Sequence, residues 1–429
     1  MSVDQDLIEP PTAPLKICVI GSGNMFVSGI SYYTYYLVQS LSSKCEVSAI
    51  VLRRLIPKRL YPGKARVGSP IMEHSVSELV PTFDGINWWL IPSLFSALRF
   101  MRKQRPDVVV FQWWTGSAIV SYLCLGLLSI ARGTRLIIEF HEDLDTGEAS
   151  FRIVHSVILA LLKLLTRRAH GFVVHSAWDK SRLVELLCID CDSTFVIPHG
   201  PYPMAKLGQP AKESDRGGSC HDVETEGDSE IEGGSGACTI LFFGTIRPYK
   251  GLEYLIRAFS SLPRDQGQVW RLLIVGEVWE GWSLPIDLAE TSPFSTDIEV
   301  IDRYVDDSEI PGIFARASIA VLPYLRSSAS GPLHLAMNLG LPIVLSKVGG
   351  LEESADGYKG AVFVDPGQSE KIVEGIIEAA SLAGCTFLDP RSWDETARIY
   401  LRVFSEVLSR PSHLRCSSGR QTLARRGLS

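Results

Sequence analysis

The sequence predicts an α/β protein with two doubly wound domains, each built on a parallel β-sheet covered by helices. Short runs of β-branched residues alternate with amphipathic stretches, as expected for the β-α units of a parallel sheet. This alternation stops near residue 206 and resumes near residue 239, with a segment rich in Gly, Ser and acidic residues between. The length of 429 residues accommodates two such domains.

The first predicted domain spans residues 15–204. Its strands are predicted at 16–20, 45–52, 107–111, 135–140, 171–174 and 194–197, and its helices at 30–41, 117–131, 151–168 and 177–187. The longest apolar stretch of the chain, 118–131, is shorter than the roughly 20 residues that a helix needs to cross a bilayer. We therefore expect no membrane-spanning segment.

The second predicted domain spans residues 238–390. Its strands are predicted at 239–243, 271–275, 298–301, 319–322, 342–345 and 361–364, and its helices at 251–261, 307–316, 332–339 and 370–382. Residues 205–237, with almost no large apolar side chain, are interpreted as an acidic linker or an exposed insertion. Residues 391–410 predict a helix that returns to the first domain, and 411–429 a disordered basic tail.

Composition narrows the class of protein and of partner. Apolar residues make up 46% of the chain and charged residues 21%, which suits a soluble protein with a sizeable core. The net charge of −6 argues against a nucleic-acid binder, which would be strongly basic. Nine scattered cysteines and an acidic, proline-containing start predict a cytoplasmic protein with reduced thiols.

Open parallel sheets bind ligands at the carboxyl ends of their strands, so the loops after strands carry the candidate residues. The first such loop, residues 21–29, reads GSGNMFVSG. Phe26 stands where a dinucleotide-binding loop requires Gly or Ala, which disfavours a nicotinamide cofactor. The free backbone N–H groups of this loop suit an anion or sugar hydroxyls, and a tight turn between strand and helix explains the glycines equally well.

Two cations follow the first strand of the second domain, in ILFFGTIRPYKG. Gly244 permits close approach of a ligand to the backbone, and Arg247 and Lys250 place positive charge at the mouth of the sheet. A diphosphate requires such fixed charge, and Arg binds two oxygens at once. Solvated surface cations are the alternative, but the position after a buried strand favours a diphosphate site.

A second anion site is predicted where a later strand passes through small residues into a helix. Ser330 is a predicted N-cap, Gly331 permits close approach of a ligand to the backbone, and Pro332 suits the first helical position. The start of this helix offers unpaired N–H groups and the positive end of the helix dipole. Taken alone, these residues are explained by ordinary helix capping. Their combination with Arg247 and Lys250 favours an anion site.

Four segments of the second domain resemble the donor domain of retaining glycosyltransferase family 4, whose GT-B architecture has two Rossmann-like domains facing a cleft. They are FFGTIRPYKGLEYLIRAF, LLIVGE, VIDRYVDDSEIPGIFARASIAVLPY and SSASGPLHLAMNLGLPIVLSKVGGLEE. The resemblance implies transfer of a sugar from a nucleoside diphosphate sugar to a glycan or lipid-linked glycan, with retained anomeric configuration. The donor is then a co-substrate, and no cofactor or metal is expected.

The resemblance also implies residue roles. The catalytic candidates are His141, Arg247 and Lys250, of which the two cations match the pair that neutralises the donor diphosphate. The implied donor contacts are Gly244, Arg247, Lys250, Arg303, Tyr304, Val305, Ser330, Gly331 and Pro332, with the nucleobase near 303–305. The implied acceptor-side residues are Gly21, Gly23, Ser28, Gly29 and Glu148. His141, directly after the strand RLIIEF, would position the sugar or the acceptor, and a structural histidine is the alternative.

The sequence departs from the family pattern at one point. Most members have two glutamates, separated by seven residues, that contact the donor sugar and the ribose, and the aligned positions here hold Ser327 and Leu335. A branch of the family has a similar Ser- and Gly-rich segment. We name Glu353 as the substitute ribose contact. The loss of both glutamates keeps open a catalytically silent protein that binds a sugar nucleotide or a partner glycosyltransferase, and a nucleotide-sugar epimerase of the same architecture is a weaker third reading.

Two stretches of the first domain combine apolar residues with a basic edge. Residues 87–104 hold Trp88, Trp89 and Phe95 before Arg102 and Lys103, and residues 151–168 end on basic side chains. This pattern is typical of peripheral contact with an anionic membrane. If the protein makes such contact, its sugar acceptor would be lipid-linked. Core helices with solvated basic ends are the alternative.

Overall fold

The computed structural model describes residues 14–23, 29–54, 75–87, 91–141, 152–202, 237–264, 267–279, 281–327 and 330–411. These residues form two compact units. The first contains the described residues up to Gly200 together with those from Arg391 onward, and the second contains the described residues of Pro201–Pro390. Each unit has one parallel sheet with helices, which confirms the predicted α/β class.

In the described part of the first unit, seven parallel strands form a sheet in the order β3-β2-β1-β4-β5-β6-β7. The strands are β1 (Lys16–Ser22), β2 (Glu46–Arg54), β3 (Thr82–Asn87), β4 (Val108–Trp113), β5 (Arg135–Phe140), β6 (Gly171–Val174) and β7 (Thr194–Val196). The sequence did not predict β3, since its TFDGIN contains Asp and Gly, which are unfavourable in strands. It lies at the edge of the sheet, where only one side needs a partner.

Helices cover both faces of the first sheet. They are α1 (Gly29–Ser42), α2 (Ile91–Gln104), α3 (Ile119–Ile130), α4 (Arg152–Thr166), α5 (Ala177–Leu187) and the C-terminal α12 (Trp393–Ser409). One hydrophobic cluster joins α2, α3, α4 and α5 to the sheet, and the other joins α1 and α12 to it. Helix α12 therefore completes the core of the first unit.

In the described part of the second unit, six parallel strands follow the order β10-β9-β8-β11-β12-β13. The strands are β8 (Cys238–Phe243), β9 (Trp270–Val275), β10 (Ile298–Ile301), β11 (Ile319–Leu322), β12 (Ile343–Ser346) and β13 (Ala361–Val364). The helices are α6 (Leu252–Ser260), α7 (Leu284–Glu290), α8 (Ile310–Phe314), α9 (Gly331–Asn338), α10 (Leu351–Ser354) and α11 (Ser369–Ser381). The strand order reverses between β8 and β11, which is where sheets of this type bind ligands.

Element boundaries differ from the sequence prediction in informative places. Strand β1 runs two residues beyond its predicted end, so Gly21 lies in the strand and not in the loop after it. The helix predicted at 307–316 is reduced to the five residues of α8, with Pro311 in its first turn. Helix α9 begins at Gly331, one residue before its predicted start, and Ser330 is its N-cap as the sequence predicts. Among the described residues, no helix is both long and apolar enough to span a membrane.

Glycine is required where the loops after β8 and β11 meet. Gly251 has φ = 64°, and a Cβ atom built there would lie 2.1 Å from the carbonyl oxygen of Pro323. Both the left-handed backbone and the close approach exclude a side chain at this position. Gly384 also has a positive φ, of 88°, but a Cβ there would meet nothing within 4 Å.

We predict that Gly251→Ala lowers the free energy of unfolding by about 3 kcal/mol, since it adds a steric clash to the strain of a left-handed alanine. The matched variant Gly384→Ala carries only the strain and should lose about 1 kcal/mol. Urea unfolding followed by tryptophan fluorescence measures both. Equal losses in the two variants would contradict the close contact with Pro323.

Candidate functional site

The loop after β8 is fixed to the loops on both sides of it. On the β9 side, the backbone N–H of Ile246 donates to the Glu277 carbonyl at 2.9 Å, and that of Trp279 donates to the Ile246 carbonyl at 3.0 Å. On the β11 side, the Leu325 N–H donates to the Tyr249 carbonyl at 2.8 Å. The loop that carries Arg247 and Lys250 therefore has a backbone position set by both neighbouring strands.

Arg247 packs against an aromatic ring that the sequence analysis did not single out. Its side chain is half-buried, and the guanidinium carbon lies 4.7 Å from the centre of the Trp279 ring. A guanidinium at this distance is attracted by the electron-rich face of the indole. Trp279 therefore helps to hold the Arg247 cation at the carboxyl end of β8.

Lys250 is buried, with 7% of its surface exposed, and its ammonium group reaches the loop after β11. The Nζ atom donates a hydrogen bond of 2.7 Å to the hydroxyl of Tyr324, which has no exposed surface. Burial raises the pKa of Tyr324 well above its usual value, so the phenol stays neutral and accepts from Lys250. Tyr324 was missing from the sequence prediction.

The same tyrosine reaches the start of α9. Its hydroxyl oxygen lies 3.3 Å from Oγ of Ser330, and that Oγ accepts the backbone N–H of Leu333 at 3.3 Å, which is the contact of an N-cap. Gly331 and Pro332 are the first two residues of α9. Lys250 and the positive end of α9 are therefore joined through one buried side chain.

Gly244 lies beside the start of α9. Its φ is 118°, and a Cβ atom there would lie 3.2 Å from Cγ of Pro332. The structure thus brings together Gly244, Lys250 and the helix start at Ser330, Gly331 and Pro332, at the reversal between β8 and β11. A third cation, absent from the prediction, is also near: the guanidinium carbon of the exposed Arg326 lies 5.3 Å from the centre of the Tyr249 ring.

Other predicted donor residues lie elsewhere in the second unit. Arg303, Tyr304 and Val305 follow β10, at the edge of the sheet, and the Arg303 guanidinium makes hydrogen bonds of 2.9 and 2.5 Å to the Glu309 carboxylate. The Arg303 side chain is therefore bound to a residue of the segment that follows the same strand. Glu353 is exposed on α10, in the segment that follows β12.

The loop after β12 also reaches the loop after β11. The backbone N–H of Gly350 donates to the Ser327 carbonyl at 3.1 Å. A Cβ atom at Gly349 would lie 1.9 Å from that same oxygen. Glycine is therefore required in this VGG segment by backbone packing, and Glu353 follows it within one turn of helix.

A buried polar cluster in the first unit contains His141. Glu139 is the fifth residue of β5, His141 follows that strand, and His175 follows β6; all three are buried. Nδ1 of His175 donates to the Ile197 carbonyl at 3.0 Å, which leaves Nε2 of a neutral His175 as an acceptor. Nδ1 of His141 lies 3.2 Å from that Nε2 and therefore donates to it.

Glu139 is held by donors from two other elements. The Tyr400 hydroxyl of α12 donates to Oε1 of Glu139, and Nε2 of Gln112 in β4 donates to Oε2 at 3.3 Å. The hydroxyl of Tyr33 in α1 lies 2.9 Å from the Tyr400 hydroxyl, within hydrogen-bond distance. Helix α12 thus supplies one of the groups that hold the carboxylate.

The cluster shifts the titration of two of its members in the same direction. Burial alone raises the pKa of Glu139, but the adjacent His141 and His175 and its hydrogen bonds lower it to about 2. Burial, together with the neighbouring His141, lowers the pKa of His175 to about 4. At neutral pH the carboxylate is therefore charged and His175 is neutral.

Among the described residues, Glu139, His141 and His175 form a group of ligand-type side chains that could hold a metal ion, with one atom of each within 4.8 Å of the others. The 3.2 Å contact between the two imidazoles fits a hydrogen bond, and Tyr400 and Gln112 already satisfy the carboxylate. Hydrogen bonding accounts for the geometry without an ion. The expectation that no metal is needed stays a prediction.

The predicted acceptor-side residues are partly within the described chain. Gly21 packs in β1 so closely that a Cβ atom would lie 2.0 Å from Oε1 of Gln112, and a Cβ at Gly23 would lie 3.2 Å from the Val51 side chain. Gly29 is the first residue of α1. Ser28 and Glu148 lie outside the described residues. Close packing beside the amide that binds Glu139 therefore requires glycine at position 21, and the acceptor-side role of Gly21 stays a prediction.

The sequence matches two models of known families, one for each unit. Residues 27–201 match the model described as Glycosyltransferase Family 4, and residues 237–381 match the model described as Glycosyl transferases group 1. Together the matches span most of the chain. The chain belongs to glycosyltransferase family 4.

Curated relatives of this family 4 protein are distant. A D-inositol 3-phosphate glycosyltransferase of Acidothermus cellulolyticus is 26% identical, with 94% of this chain and 90% of that protein covered. O-antigen chain mannosyltransferase B of Escherichia coli is 29% identical over 37% of this chain and 38% of its own. The GDP-mannose:glycolipid 4-beta-D-mannosyltransferase of Xanthomonas campestris is 27% identical over 40% of this chain and 49% of its own. The last two matches span less than half of those proteins.

Solved structures share the fold of the family 4 chain. A glycosyltransferase from Rickettsia africae aligns with a TM-score of 0.58 at 14% identity, covering 93% of this chain and all of that one. Anabaena HepE in complex with UDP and glucose aligns with a TM-score of 0.58 at 15% identity, covering 91% of this chain and all of that one. These likenesses confirm the predicted GT-B fold.

We predict that acidification destabilises this protein through His175. Its folded-state pKa of about 4 lies below the ordinary 6.5, so the stability contributed by neutral His175 is complete above pH 6.5 and is lost as the pH falls toward 4. Between pH 7 and pH 5 this amounts to about 2 kcal/mol. His175→Asn should remove this part of the pH dependence in urea unfolding.

His155→Asn is the control, because His155 is only half-buried on α4. It should keep the pH dependence of the wild-type protein. An unchanged pH dependence in His175→Asn would rule out a neutral, buried His175.

Proposed function

We propose that this family 4 protein is a retaining glycosyltransferase that moves a sugar from a nucleoside diphosphate sugar to a glycan or lipid-linked glycan. The observation that carries the proposal is the meeting of Lys250, Gly244 and the start of α9 at the strand-order reversal of the second unit. Positive charge, accessible backbone and a helix N-terminus are the features that bind a diphosphate.

The chemistry of the reaction explains why these groups would matter. Breaking the bond between the anomeric carbon and the diphosphate builds negative charge on the leaving phosphate. Arg247, Lys250 and the N-terminus of α9 interact with that charge more strongly as the bond breaks, which lowers the barrier. Removal of one such contact typically costs about 3 kcal/mol of activation free energy. Two fixed cations supply the charge that a metal ion would otherwise supply.

Relatives support the donor class. Anabaena HepE is solved with UDP-glucose, and the Xanthomonas relative is a GDP-mannose-dependent enzyme by its name. We therefore propose a nucleoside diphosphate sugar as the donor. In this proposal the anomeric configuration of the sugar is retained because the acceptor attacks from the leaving-group side. A phosphate oxygen helps to remove the proton of the acceptor hydroxyl.

His141 enters the proposal as a group that positions the sugar or the acceptor, not as the base. Its Nδ1 is committed to His175, and its Nε2, 3.7 Å from Oε1 of Glu139, makes no hydrogen bond to a described residue. A sugar hydroxyl would satisfy that nitrogen. The alternative is a purely structural role for His141, because only 6% of its surface is exposed.

A catalytically silent protein that binds a sugar nucleotide is the second candidate. Ser327 and Leu335 stand where most family members have their paired glutamates, so two contacts to the donor are lost. Release of nucleoside diphosphate during turnover separates the two candidates, because a silent protein binds the donor without cleaving it.

We predict that Arg247→Ala/Lys250→Ala abolishes transfer and weakens binding of the nucleoside diphosphate at least 100-fold, since both fixed cations are lost. Turnover of UDP- and GDP-sugars is measured by nucleotide release in the presence of EDTA, and NMR of the product reports its anomeric configuration. Arg257→Ala, which removes an exposed cation on α6, is the control for net charge. Equal nucleotide affinity in the double variant would refute the site.

We also propose that the first unit contacts the cytoplasmic face of an anionic membrane. Helices α2 and α4 pack on the same side of the first sheet and leave apolar side chains in solvent, with Ile91 69%, Phe95 68% and Ile153 81% exposed. Exposed basic residues follow on both helices or directly after them: Arg99, Arg102, Lys103, Arg167 and Arg168. Apolar side chains beside a basic edge suit an anionic bilayer surface.

We predict that the wild-type protein floats with vesicles containing phosphatidylglycerol and that Phe95→Ser/Ile153→Ser reduces the bound fraction about tenfold, because apolar insertion is lost. Leu388→Ser is the control, since Leu388 is 89% exposed in the second unit. Failure of the wild-type protein to float, or equal flotation of the double variant, would exclude this surface.

A further inference from the structure

Tyr324 is buried between two groups of the proposed donor site. It has no exposed surface, and the structure gives its hydroxyl two hydrogen-bond partners among the described residues, Nζ of Lys250 at 2.7 Å and Oγ of Ser330 at 3.3 Å. A buried hydroxyl must satisfy both its oxygen and its proton. Lys250 and Ser330 therefore determine which atom donates and which accepts in each hydrogen bond of the Tyr324 hydroxyl.

The direction follows from the chemistry of the three side chains. A lysine ammonium only donates, so the Tyr324 oxygen accepts from Lys250. The Tyr324 proton must then go to Ser330, whose Oγ is the one acceptor that the described residues offer it. Ser330 Oγ already accepts the Leu333 N–H, so it is used twice as an acceptor.

The hydroxyl proton of Ser330 therefore points away from Tyr324 and Leu333. Both lone pairs of Oγ are taken by Tyr324 and Leu333, and the structure gives its hydrogen no acceptor among the described residues. A hydroxyl in this state is a donor only. Because hydrogen bonds in a chain polarise one another, the Lys250 charge strengthens the donor at Ser330.

We propose that Tyr324 is a positioning residue that fixes the Lys250 ammonium and makes the Ser330 hydroxyl a donor toward the donor diphosphate. This inference rests on the proposed function and deepens it. Lys250 and Ser330 are separated by 80 positions in the sequence. By bonding to both side chains, Tyr324 directs the Lys250 ammonium and the Ser330 hydroxyl toward the same diphosphate. Without the Tyr324 hydroxyl, the ammonium loses this acceptor, and the serine hydroxyl can turn a lone pair toward the phosphate.

The test is the affinity of wild-type protein and Tyr324→Phe for UDP and GDP, each compared with uridine and guanosine, by calorimetry. Tyr324→Phe keeps the ring and removes the hydroxyl, so we expect about tenfold weaker binding of the diphosphate that the wild-type protein prefers, with unchanged nucleoside affinity. A role in packing alone would change neither, and a general distortion of the pocket would change both. Either of those results overturns the inference.

A double-mutant cycle provides the second measurement. Ser330→Ala should weaken diphosphate binding by a similar factor, and Tyr324→Phe/Ser330→Ala should be no weaker than the weaker single variant, because both remove the same donor. Additive losses would overturn the inference. If Tyr324→Phe does not fold, Ser330→Ala alone still tests the serine donor, and an unchanged diphosphate affinity in that variant would overturn the inference.

Tyr358→Phe is the matched control. Its hydroxyl, also in the second unit, donates to the Leu341 carbonyl at 2.7 Å and makes no contact with Lys250 or Ser330. It should bind nucleotides as the wild-type protein does, and a loss equal to that of Tyr324→Phe would count against the inference. If the wild-type protein binds neither UDP nor GDP, the proposed function itself fails, whereas normal wild-type binding with an unaffected Tyr324→Phe removes only the positioning role.

Discussion

The hydrogen bond from the buried Lys250 ammonium to Tyr324 is the interaction on which the site of the second unit depends. An isolated charge in a protein interior is strongly unfavourable, so a buried lysine persists only where a polar partner is fixed in place. Here the partner comes from the loop after β11, and the backbone bond between Leu325 and Tyr249 holds the two loops together. The same contact that makes burial tolerable also aims the cation at the start of α9.

The first unit follows the same principle with the opposite charge. The Glu139 carboxylate is fully buried, and it remains ionised because Tyr400, Gln112 and the nearby histidines favour its charged form. Lys250 and Glu139 are therefore each held by hydrogen bonds from side chains of other elements. These hydrogen bonds make the position of a functional side chain depend on residues distant in sequence.

The sequence predicted features whose signal is local. β-branched runs marked most strands, the serine before Gly331 marked the N-cap of α9, and cations directly after β8 marked the candidate diphosphate site. It missed features whose cause is not local. Tyr324 reads as an ordinary aromatic after a strand, and its importance appears only when Lys250, 74 positions earlier, is folded against it. The Tyr400–Glu139 contact joins positions 261 apart, and β3 is held by its neighbour in spite of Asp84 and Gly85.

The return of α12 has a consequence for how the molecule is made. Ala397, Tyr400 and Phe404 are buried against a sheet whose last strand ends about 200 residues earlier in the chain. During synthesis, the N-terminal half leaves the ribosome with α1 on this face of its sheet, and the area that α12 covers stays exposed until the rest of the polypeptide has been translated. Chaperone dependence and co-translational aggregation should therefore concentrate on that early fragment, whereas the second half, whose sheet is contiguous in sequence, can mature on its own.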